Sequence, residues 1–107
     1  MKTAIITGVS RGIGREIAIK LNKNGFKVIG VYNKSEKEAK TLLPLGIEVF
    51  KCDVSSYASL EEVFNYVILK YKKIDVLINN AGICLKQKFI CENYKCNYWG
   101  HLLHDGL

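Results

Sequence analysis

The segment Thr7-Gly8-Val9-Ser10-Arg11-Gly12-Ile13-Gly14 constrains this chain more than any other. It joins a short apolar run, residues 3 to 7, to a stretch in which Ile13, Ile17 and Leu21 recur every four residues beside Ala18. The first run suits a buried parallel strand and the second an amphipathic helix, stopped by Asn24-Gly25. Glycines in a strand–turn–helix junction let the backbone turn tightly and approach a ligand without an intervening side chain. The helix that follows aims its free N–H groups and positive dipole end at the same point. Such a junction reads as a cradle for a pyrophosphate.

The rest of the chain repeats the strand–helix rhythm. Residues 27 to 32 read as a second strand. Ser35 reads as an N-cap, with Glu38 completing a capping box for a short helix that ends before Pro44. Gly46 to Cys52 is a third strand. Ser56 or Ser59 caps a longer helix with Leu60, Val63, Phe64, Val67 and Tyr71 on one face. Asp75 to Asn79 is a fourth strand. Four alternations predict an α/β fold of Rossmann type, a doubly wound parallel sheet truncated to about four strands in the order 3-2-1-4. The fourth strand, with Val76, Leu77 and Ile78, is then expected at an uncovered edge. Residues 83 to 107 lose this periodicity, and no element is placed there.

Composition narrows the classes. The chain has 107 residues, 49% hydrophobic and 24% charged, which fits one ordinary small domain. No apolar run approaches the ~20 residues of a membrane helix, and the N-terminal run breaks too early for a signal peptide. The expectation is a cytoplasmic protein without a membrane partner. The net charge of +6 comes from fourteen scattered lysines and two arginines, Arg11 and Arg15. Nucleic acid is not expected, because its footprint is clustered and richer in arginine. Cys52, Cys84, Cys91 and Cys96 form no secreted disulfide framework. With His101 and His104, the last three could supply zinc ligands, but tight CxxC knuckles are absent and no metal site is expected.

The spacing Gly-x3-Gly-x-Gly, with Asn79-Asn80-Ala81-Gly82 after the fourth strand and Asp53-Val54 after the third, resembles the short-chain dehydrogenase/reductase family. Within it, the glycine segment looks most like 3-oxoacyl-acyl-carrier-protein reductases. The likeness spans residues 1 to about 83, the N-terminal half of such a domain. It implies that Gly8, Ser10, Arg11, Gly12, Ile13 and Gly14 hold the phosphates and ribose of a nicotinamide cofactor. It also implies that Asp53 accepts from the adenine amino group with Val54 packed nearby, and that Asn80, Ala81 and Gly82 border the ribose. It further implies a small-molecule or acyl-carrier-linked carbonyl substrate and, in intact members, a homo-oligomer.

Cofactor choice follows from charge. An NAD site places a carboxylate after the second strand to take the ribose 2′-hydroxyl. Here that region reads Tyr32-Asn33-Lys34-Ser35, with no acid before Glu36. Arg11 and Lys34, with Asn33 between strand and lysine, point to NADP rather than NAD.

The family's chemistry uses a serine, a tyrosine and a lysine four residues after the tyrosine, so that the tyrosine exchanges a proton with the carbonyl during hydride transfer. Tyr66 and Lys70 have that spacing but precede the fourth strand, so they read as ordinary helix-surface residues. No catalytic residue is therefore assigned. The expectation is the nucleotide half (residues 1–83) of a carbonyl reductase, inactive alone, followed by an atypical tail (84–107). The alternative is a non-catalytic nucleotide-binding module whose Cys/His tail takes zinc or a partner. The tail also reads as out of frame. Shifted by one nucleotide, codons for Lys95 to Gly100 can spell Asn-Val-Ile-Ile-Gly, which looks like the family's asparagine-containing helix motif, given a small accompanying deletion.

Overall fold

The computed structural model describes residues 1–53, 56–79 and 98–101, the last four as backbone. Strands β1 (Thr3–Thr7), β2 (Lys27–Tyr32), β3 (Glu48–Lys51), β4 (Val76–Asn79) and β5 (Tyr98–His101) form one parallel sheet in the order β3-β2-β1-β4-β5. Helices α1 (Gly12–Lys23), α2 (Glu36–Lys40) and α3 (Tyr57–Tyr71) occupy the crossovers, with a 3-10 turn at Leu43–Leu45. The expected order 3-2-1-4 is present.

Alternate side chains along the buried strands feed two cores, one on each face of the sheet. Ile5 of β1, Ile29 and Val31 of β2 and Leu77 of β4 pack with Val63, Phe64 and Val67 of α3. Ile6, Val28 and Tyr32 face the other way, onto Ala18 of α1 and Ala39 of α2, with Leu42 and Ile47. Near-continuous apolar strands are what a sheet covered on both sides requires. At the start of β1, the buried Asp75 carboxylate accepts the Thr3 N–H at 2.8 Å, which fixes the sheet's amino-terminal end.

Three expectations change. The outer edge of β4 is not open: β5 pairs along it from Val76↔Tyr98 to Asn79↔His101. The sheet thus has five strands rather than about four, and an element lies within the segment where none was placed. A strand of four residues has no room for a readable period and is specified by its non-local partner. The capping box on α2 does not form either. Ser35 sits at the N-cap but adopts the left-handed region (φ 60°, ψ 49°), with no side-chain cap hydrogen bond. Its hydroxyl cannot serve the helix as a cap in the usual extended conformation. The α3 cap forms as expected, with Ser56 accepting from the Ser59 N–H at 3.3 Å.

Tyr66 and Lys70 are also more than surface residues. The Tyr66 and Tyr71 hydroxyls both donate to the Glu48 carboxylate. Lys27 lies 3.2 Å and Lys70 3.6 Å from the same carboxylate, and Lys70 donates to the Tyr66 oxygen at 3.0 Å. Tyr66 also packs edge-on against Phe50, ring centroids 5.0 Å apart. Glu48 opens β3 and Lys27 opens β2, so this cluster lies at the amino ends of the strands. It staples α3 to the edge strand β3.

Candidate functional site

The opposite end of the sheet carries the site. After Thr7 the chain leaves β1 through Gly8 (φ 71°) and Gly12 (φ 67°), both in the left-handed region that favours glycine. The Gly8 and Val9 N–H groups donate to the Val31 carbonyl at 2.8 and 3.2 Å, pinning the loop's first half to β2. Gly30, inside β2, makes this approach feasible: a Cβ there would lie 2.7 Å from Val9 Cγ2. The signal for this role is in the sequence: a glycine within a strand marks close approach of another segment.

Arg11, in extended conformation, then precedes the first turn of α1, which contains no acidic residue and no side-chain cap. Beyond Gly12 there is open space: a Cβ built on it meets nothing within 4 Å. The free amides of this helix end therefore face a cavity, the arrangement that receives an anion.

That cavity is a cleft of about 400 Å³ between the glycine loop and the segment following β2. Gly8, Ser10, Arg11 and Gly12 form one side, and Val31, Tyr32, Asn33, Lys34 and Ser35 the other, with Cys52 at the end of β3. The structure thus brings together most of the expected site residues on described elements. Ile13 is half exposed at the start of α1, while Gly14 is buried one residue further on. Asp53 follows Cys52 and is exposed. Val54, Asn80, Ala81 and Gly82 lie outside the described residues, as do Cys84, Cys91, Cys96 and His104 of the tail. Cys52 was not expected in the lining; its thiol is buried and pushed up from the ordinary value by desolvation, then by Asp53 and Glu62.

The charge of the lining is one-sided. Arg11 and Lys34 are both exposed and line the cleft, and none of the described lining residues is acidic. No ion pair with another described residue engages either cation. The nearest carboxylate in sequence, Glu36, pairs instead with Lys40 on α2 at 2.9 Å, and that contact holds its carboxyl below the ordinary value. A parallel sheet with a ligand crevice outside its carboxyl ends, a glycine loop and a helix amino terminus defines a dinucleotide-fold protein.

Comparison with known proteins makes this specific. The family model for short chain dehydrogenases matches residues 2–104, and the chain belongs to that family. The match runs well past residue 83, where the likeness was expected to stop. An acetoacetyl-CoA reductase from Shinella zoogloeoides is 45% identical over 83 residues, covering 77% of this chain and 34% of its own length. A 3-oxoacyl-acyl-carrier-protein reductase from Staphylococcus epidermidis is 36% identical over 88 residues, covering 77% of this chain and 36% of its own. Among solved structures, an actinorhodin polyketide ketoreductase variant with NADPH superposes with a TM-score of 0.68 at 34% identity. It covers 77% of this chain and 33% of that one. The chain spans between 34% and 44% of the length of the curated relatives it matches.

Proposed function

We propose that the cleft takes NADP(H), and that the chain is the cofactor-binding part of a reductase that transfers hydride to a carbonyl. The observation that carries this reading is the lining itself: a glycine loop and helix amino terminus for the phosphates, with two cations and no carboxylate among the described lining residues. The Gly8–Gly14 backbone and the first turn of α1 receive the pyrophosphate. Arg11 and Lys34 neutralise the 2′-phosphate, with Asn33 at the ribose. Asp53 accepts from the adenine amino group beside Val54, and Asn80, Ala81 and Gly82 border the nicotinamide ribose. When bound, the cofactor supplies the hydride; the chain's residues bind and orient it.

The names of the acetoacetyl-CoA and 3-oxoacyl-acyl-carrier-protein reductases support a 3-oxoacyl thioester as the carbonyl substrate. Reduction needs a proton donor at the carbonyl. The Tyr66–Lys70 pair is committed to Glu48 at the opposite end of the sheet, and no proton donor is assigned among the described residues. Calorimetric titration tests the cofactor assignment: NADPH binds more tightly than NADH. Tighter binding of NADH overturns it.

A further inference from the structure

The two walls of the cleft are physically tied. The hydroxyl of Ser10, a largely buried residue of the glycine loop, donates to the Lys34 carbonyl at 2.9 Å. Further along the Lys34 wall, Arg15 of α1 reaches across. Its Nη1 donates to the Glu38 carbonyl at 2.9 Å and its Nη2 to Thr41 Oγ1 at 2.8 Å. The Lys34–Thr41 segment is thus held at both ends by the glycine loop and the helix that opens from it.

Between Tyr32 and Ala39, both buried in the core, the segment that carries Lys34 is largely exposed. The helix α2 is five residues long, too short to be stable alone. Ser35, between the two ties, occupies the left-handed region, which a residue with a Cβ adopts only where surroundings impose it. The core anchors Tyr32 before Lys34 and Ala39 and Leu42 after it, and the Ser10 and Arg15 contacts add direct struts from this stretch to the glycine loop and α1.

We propose that Ser10 and Arg15 are positioning residues for cofactor selection: they hold Lys34 opposite Arg11 so that both cations meet one phosphate. The inference rests on the NADP(H) reading and deepens it. Loosening either strut lets the lysine-bearing wall move outward. A dianionic phosphate loses by this, because charge-assisted contacts depend steeply on geometry. A ribose hydroxyl uses neither cation and loses little. The sensitive quantity is the ratio of NADPH to NADH affinity, which general loosening of the fold would not move.

The experiment measures dissociation constants for NADPH and NADH with the full chain and with Ser10→Ala, Ser10→Thr, Arg15→Met and Arg15→Lys. The ratio falls about fivefold in Ser10→Ala and in Arg15→Met, the effect of one ordinary hydrogen bond. Ser10→Thr and Arg15→Lys, which keep a donor, recover most of it. An unchanged ratio, or equal weakening of both cofactors, overturns the proposal while leaving the NADP(H) reading intact. A folded parent chain that binds neither cofactor overturns both. Arg15 makes its contacts at the exposed surface, so Arg15→Met decides the matter if Ser10→Ala fails to fold.

Discussion

At the scale of single residues, Gly30 and Glu48 show two ways a side chain, or its lack, fixes the scaffold around the cleft. Substituting Gly30 with Ala drives a methyl into Val9, which is fully buried and cannot yield freely. The expected cost is about 1–3 kcal/mol, read as a lower urea midpoint with unchanged slope. Burial pushes the Glu48 carboxyl up, but the hydrogen bonds from Tyr66, Tyr71 and Lys27 outweigh it and hold the group at about 2. A carboxyl held low in the folded state stabilises the protein above its ordinary range, and that contribution is lost as acid protonates it. The parent chain should therefore lose stability between about pH 4.5 and about 2 through this group. Glu48→Gln should be less stable at neutral pH and show a flatter profile over that window in urea melts. Equal slopes for the two proteins would show that the cluster contributes nothing. The glycine loop, Arg11 and Lys34 were legible because their chemistry is local in sequence. Gly30, the Ser10–Lys34 tie and the Arg15 clamp were not, since each joins residues brought together only by the fold.

Elements were legible in proportion to how much of their own specification they carry. β1 and β2 fall on their expected residues because apolar runs flanked by glycine and lysine leave little choice. α3 keeps its expected face, with Val63, Phe64 and Val67 buried and Leu60 and Tyr71 partly so. Phe64→Ala should remove about 3–5 kcal/mol, because its ring is among the largest fully buried groups. α2 and β5 were harder. The start of α2 is dictated by the bend of the cleft wall, which sets Ser35 left-handed against the preference of an N-cap. β5 is dictated by the edge of β4. Deleting residues 98–107 should uncover that edge and convert the chain to concentration-dependent oligomers in light scattering. A truncated chain that scatters as the parent does would show that β5 does not protect the sheet.

At the scale of the whole molecule, parallel crossovers put every strand's carboxyl end, and hence the glycine loop, Lys34 and Cys52, on one side. The stabilising Glu48 cluster lies on the other. This division places the Tyr66-x3-Lys70 spacing with Glu48, at the end of the sheet away from the cleft. The isolated chain should show no NADPH oxidation with acetoacetyl-CoA beyond the buffer rate. On the proposed reading, the Arg11–Lys34 cation pair meets the 2′-phosphate of NADP(H) in this cleft. The most direct measurement compares NADPH and NADH affinities of the parent chain with those of Arg11→Ala. Arg11→Ala should lose about 1.5–3 kcal/mol in NADPH binding, as for a charge-assisted contact, and the preference for NADPH should collapse. An Arg11→Ala chain that keeps the parent's ratio would contradict that reading.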